Sequence, residues 1–164
     1  MVENAIDNNL ARNAITQTDD DTCPSWLAPD GIPIGKGWAS SASLDWTCPL
    51  DKQLTRQQSS VDFIIASDVV FLSSMLNSLL KTVESIFQSS LGSSFILSFQ
   101  RRDAQDGKES SLFTTVDGII DAIKAKGWKI DCLAWRPVSV SREASDGKVS
   151  DVETEVFVFE ISWK

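Results

Sequence analysis

The run Val61-Asp62-Phe63-Ile64-Ile65-Ala66-Ser67-Asp68-Val69-Val70-Phe71 restricts the fold more than any other stretch of the chain. Phe, Ile and Val favour extended backbone and the run is too short to cross a membrane, so it reads as a central, doubly covered strand of a parallel sheet. Its apolar character breaks at Ser67-Asp68. A helical pattern follows, in which Met75, Leu76, Leu79, Leu80, Val83, Ile86 and Phe87 recur at steps of one, three and four and form one broad apolar stripe. A strand feeding an amphipathic helix is the first half of a strand-helix-strand crossover. Asp68 then lies at the carboxyl end of a parallel strand, outside which open α/β sheets bind ligands. Position alone leaves two roles open to it: N-cap of the next helix, or ligand contact.

The alternation continues downstream. Residues 95–99, Phe-Ile-Leu-Ser-Phe, form a second apolar strand, ending in Gln100-Arg101-Arg102 at the edge that carries Asp68. That arginine pair is either a solvated rim or an anion site. Residues 112–126 return to helical spacing through Phe113, Val116, Ile119, Ile120 and Ile123, and stop at Gly127. Residues 128–138 and 155–163 then alternate as strands, with Trp128, Ile130, Cys132 and Ala134 on one face of the first, and only a polar surface loop, 139–151, between the two. Two strands with no helix between them form a hairpin.

Upstream, Val2, Ala5, Ile6, Leu10 and Ala14 are spaced as a short amphipathic helix. Residues 16–37 carry turn residues without a period and read as a surface loop, which Trp26 and Trp38 would fasten to the body. Residues 38–46 read as a strand ending in Leu44-Asp45-Trp46, followed by a polar connection from 48 to 60.

Composition narrows the function. The 164 residues suit one domain. A formal charge of -8 opposes a phosphate-binding surface, so no nucleic-acid partner is expected and basic partners are the compatible ones. No segment resembles a membrane span or a secretory leader, which points to a soluble, cytoplasmic protein with the nucleus as a second compartment. The three cysteines, widely spaced and odd in number, fit reduced thiols. The chain has no histidine, which removes Ser-His-Asp and Cys-His nucleophiles and leaves a metal with carboxylates alone, so no metal is expected. Glycine-rich cradles for a dinucleotide or a triphosphate are also missing.

A largely parallel α/β sheet closed by a hairpin resembles the Rossmann-like, three-layer S-adenosylmethionine-dependent methyltransferase fold, and three motifs sharpen the likeness. Val2-Glu3-Asn4-Ala5-Ile6-Asp7-Asn8-Asn9 resembles the Asn-punctuated helix of the seven-β-strand protein-lysine methyltransferases, the methyltransferase family 16 group. Ser43-Leu44-Asp45-Trp46 is similar to that group's Leu-x-Trp strand end, and residues 62–71 to its D-x-I-x-A-x-D-x-x-Y signature. The resemblance implies S-adenosylmethionine as cofactor and a protein presenting a lysine as substrate, in a monomer if the domain is complete. It places Trp46 beside the adenine, Ser67 along the cofactor site, Asp68 at the incoming amine and Phe71 as a channel wall, where the family usually has Tyr. The chain begins inside the Asn-rich helix. The resemblance therefore implies a partial domain over residues 1–164, the C-terminal portion of the fold, without its first strands and glycine-rich loop, and weak cofactor binding. A non-catalytic module that binds a basic partner is the alternative reading, and an unrelated α/β domain with a strand-end aspartate is a third.

Overall fold

A computed structural model of the chain describes residues 2–14, 31–53, 60–101, 112–143 and 149–164. They fall into two compact units, Met1–Ser59 and Ser60–Lys164.

The second unit is the sheet that the strand-helix alternation demands. Strand β3 (Phe63–Ser67) pairs in parallel with β4 (Ser94–Gln100), through the helix α3 (Ser73–Ser89). Helix α4 (Val116–Ala125) leads to β5 (Lys129–Glu143), and β6 (Val149–Ser162) returns antiparallel between β4 and β5, giving the order β3-β4-β6-β5. The chain is thus a mixed α/β structure ending in an antiparallel hairpin, as its alternation requires. The β4–β6 register faces Phe95 with Ile161 and Leu97 with Phe159, and all four are buried. Onto this face α3 and α4 bring Leu80, Val83, Phe87, Ile119 and Ile123, each essentially without solvent contact. Below them Phe87 meets Trp128 edge-on, ring centroids 5.1 Å apart.

Four expectations change here. Strand β3 is an edge strand among the described residues, with β4 its one partner, and Phe63 and Ile65 are 66% and 77% exposed. Apolar residues on both faces show that a strand can be covered on both; they do not say by what. Helix α4 begins at Val116 rather than residue 112, because Thr115 caps it, its hydroxyl accepting the Gly118 N–H at 3.0 Å. The polar stretch after residue 138 is largely strand: β5 runs on to Glu143 and β6 starts at Val149, with 144–148 outside the described residues. Within β5 the alternation through Cys132 and Ala134 breaks at a bulge, which moves Ala134 opposite Val158 and turns Trp135 to the side of Phe157.

The first unit holds α1 (Val2–Asn13), the hairpin β1 (Ile32–Ile34) with β2 (Gly37–Ala39), and α2 (Leu50–Gln53). The surface loop expected over 16–37 therefore ends in a hairpin, turned at Gly35 with its φ of 62°, while residues 15–30, Trp26 among them, lie outside the described residues. The strand expected over 38–46 is confined to Gly37–Ala39, because local pairing satisfies only that segment. The connection from 48 to 60 includes α2, and 54–59 are not described. No described helix is long and apolar enough to cross a membrane.

Candidate functional site

Parallel strands β3 and β4 end at the same sheet edge, and the backbone there is unusual at one residue. Ser67 closes β3, and the Asp68 N–H adds one more rung by donating to the Ser98 carbonyl at 2.9 Å. The chain then turns through Asp68 at φ 52°, the left-handed region that aspartate and asparagine tolerate better than other non-glycine residues. It is the one described non-glycine residue with positive φ. One oxygen of its carboxylate, Oδ1, is buried.

Asp68 is not a helix cap. Helix α3 starts at Ser73, its N-cap position is Leu72, and no side chain caps it. Asp68 is thus an aspartate in the left-handed region at a strand end, five residues ahead of the helix, a backbone placement that recurs at binding and catalytic sites. The backbone also decides which substitutions report on chemistry alone. Asp68→Asn is expected to stay within about 0.5 kcal/mol of the parent, whereas Asp68→Ala loses about 1–2 kcal/mol. Urea unfolding followed by tryptophan fluorescence measures both, and equal losses would contradict the strain.

Beyond Asp68, two loops are clamped together. Leu72 and Phe113 form an antiparallel bridge in which Thr114 N–H donates to the Phe71 carbonyl and Ser73 N–H to the Leu112 carbonyl, both at 3.0 Å. This fixes Phe71, 38% exposed, at the sheet edge and brings Phe113 to it. Spacing alone assigns Phe113 to the α4 stripe; the signal that separates it is Thr115-Val116-Asp117-Gly118, a capping residue ahead of the first apolar position. Arg101, at the end of β4, is engaged: its guanidinium pairs with Glu155 and lies 5.5 Å from the Phe157 ring centroid. Arg102 is outside the described residues.

Ser67, Asp68 and Phe71 thus share one strand end in the second unit. Trp46 belongs to the first, half-buried on a turn rather than at a strand end. The cause is Asp45, whose Oδ1 accepts both the Thr47 hydroxyl at 2.7 Å and the Thr47 N–H at 2.8 Å. Gln53 staples the same turn, accepting the Asp45 N–H and donating to the Asp45 carbonyl, each at 2.7 Å. The hydroxyl bond from Thr47, aided by its amide, holds the exposed Asp45 carboxyl below the ordinary aspartate range. A lowered folded-state pKa contributes stability above the unfolded value, about pH 4, and that contribution is lost as pH falls through the folded one. The turn should therefore be intact at pH 4. The Thr47 amide resonance reports it, and a titration midpoint at or above about pH 4 would contradict the assignment.

Residues 11–117 match a family model described as lysine methyltransferase. The chain belongs to that lysine methyltransferase family. The match takes in Trp46, Ser67, Asp68, Phe71 and Phe113 and stops at the start of α4. Among solved structures, this family member is similar to one concerned with conversion of a disulfide bond into a thioacetal group during echinomycin biosynthesis, at 14% identity and a TM-score of 0.38 over 63% of this chain and 50% of that one. It is also similar to precorrin 8W decarboxylase of Methanobacterium thermoautotrophicum, at 9% identity and a TM-score of 0.32 over 61% of this chain and 45% of that one. The chain spans about half the length of these two proteins. No curated protein matches it.

Proposed function

We propose that the chain is an S-adenosylmethionine-dependent protein-lysine N-methyltransferase with Asp68 at the substrate amine. The observation that carries this reading is the left-handed turn at Asp68, which sets a carboxylate at the carboxyl end of β3, in a member of the lysine methyltransferase family. When bound, the cofactor supplies an electrophilic methyl group on a sulfonium. The protein's task is then placement, and in-line alignment of an amine needs no histidine.

In this reading the Asp68 carboxylate holds the lysine ammonium by a charge-assisted hydrogen bond before its proton passes to water. Phe71 walls the channel and keeps water from the free amine. Ser67 would line the cofactor. The residues present fit one flank of the cofactor only. The described glycines with positive φ are Gly35, in the β1–β2 turn, and Gly92 and Gly127, which precede β4 and β5 at the opposite sheet edge. None of these three described glycines lies beside Ser67.

The test is methyl transfer from labelled S-adenosylmethionine, at millimolar concentration to offset weak binding, to lysate proteins. Acid hydrolysis and amino-acid analysis should recover the label as N-methyl-lysine. Label on another amino acid, or none above a no-enzyme control, would overturn the reading.

A further inference from the structure

Strands β5 and β6 outrun the sheet. Pairing between β4 and β6 ends at Gln100 and Val156, but β5 and β6 stay paired from Pro137/Glu155 to Glu143/Val149. At about 3.4 Å per residue, this two-stranded ribbon projects about 20 Å beyond the sheet. Because β4 and β5 are parallel, it leaves from the carboxyl edge, the edge of Asp68.

The register sorts its side chains. Trp135, Pro137, Ser139 and Ser141 share a face with Asp151, Glu153 and Glu155, while Val138, Val140, Val152, Thr154 and Arg136 take the other. Apart from half-buried Glu155, the first set is exposed. Trp135 is 52% exposed yet fixed in direction: its indole N–H donates to Glu155 Oε1 at 3.0 Å, and Arg101 holds the other oxygen of the same carboxylate. A rigid, half-exposed aromatic ring, with Arg101 already matched by Glu155, Asp151 and Glu153 further along the same face and Arg136 on the opposite one, favours cations.

Resting on the lysine-methylation reading, we propose that this ribbon face docks a basic segment of the protein substrate, with Trp135 as its aromatic anchor. The occupant's chemistry follows from charge: the chain carries a net -8, and the ribbon gathers its acids on the exposed face. The reach follows from the sheet. Two strand spacings, about 10 Å, separate β3 from β6, which an extended peptide covers in about three residues. Arginine or lysine three or more positions from the target lysine would therefore meet the ribbon.

Fluorescence anisotropy on residues 1–164 tests this with a labelled twelve-residue peptide carrying a central lysine and two arginines four and six positions away. Trp135→Leu, and separately Asp151→Asn, which leaves the core untouched, are each expected to weaken binding about fivefold. A peptide with glutamine in place of both arginines should bind weakly and respond to neither variant. Equal effects on the two peptides, no effect on either, or no binding to the parent protein would overturn the docking proposal, as would a change of oligomeric state with Trp135→Leu, which would make the face a self-contact. Replacing the central lysine with norleucine separates the two readings: if the arginine dependence persists and the lysine proves irrelevant, docking stands and lysine methylation falls.

Discussion

Replacing Phe95 with alanine is expected to cost about 3–5 kcal/mol, enough to leave the second unit largely unfolded at 37 °C. Phe95 has no solvent exposure and lies in β4 between Ile64 of β3 and Ile161 of β6. No neighbour can close the gap without breaking both ladders, since α3 and α4 fill the layer above it. Ile65→Ala, one residue along the adjoining strand, is the matched control. Its side chain is 77% exposed, so the cost should stay within about 0.5 kcal/mol. Urea denaturation of both variants measures the asymmetry. Comparable losses would mean that the outer face of β3 is covered.

Asp68→Asn should reduce methyl transfer about a hundredfold or more at saturating cofactor while leaving the unfolding curve in place. Asparagine keeps the left-handed backbone and the shape of the side chain but cannot hold an ammonium by charge. The loss should therefore appear in turnover and in substrate affinity, with cofactor affinity unchanged. Phe71→Leu serves as the comparison: it keeps an apolar wall and should lose far less. Equal rates for parent and Asp68→Asn would remove the carboxylate from the mechanism.

Much of the second unit was legible because its information is local. The stripe from Leu76 to Phe87 can bury itself only against a sheet, and residues 95–99 are apolar enough to supply one. Asp68 was legible as a strand end, but that the N-cap position falls at Leu72 instead depended on five residues of backbone that no propensity controls. The features missed are those set by partners distant in sequence. Phe113 keeps helical spacing, yet Thr115 captures the helix start and Leu72 captures Phe113. Leu44-Asp45-Trp46 alternates like a strand, but the Asp45 side chain bonds Thr47 and folds the segment into a turn. The exposure of Phe63 and Ile65 was illegible for a different reason: hydrophobicity records what a strand face tolerates, and whether a layer covers that face is decided elsewhere in the fold.

The most direct measurement is titration of the isotope-labelled chain with S-adenosylmethionine up to millimolar concentration, followed by amide NMR. The account predicts fast-exchange shifts at Ser67, Asp68 and Phe71, with little change at the opposite edge around Gly92 and Gly127. Shifts absent from the end of β3, or centred on that opposite edge, would contradict it.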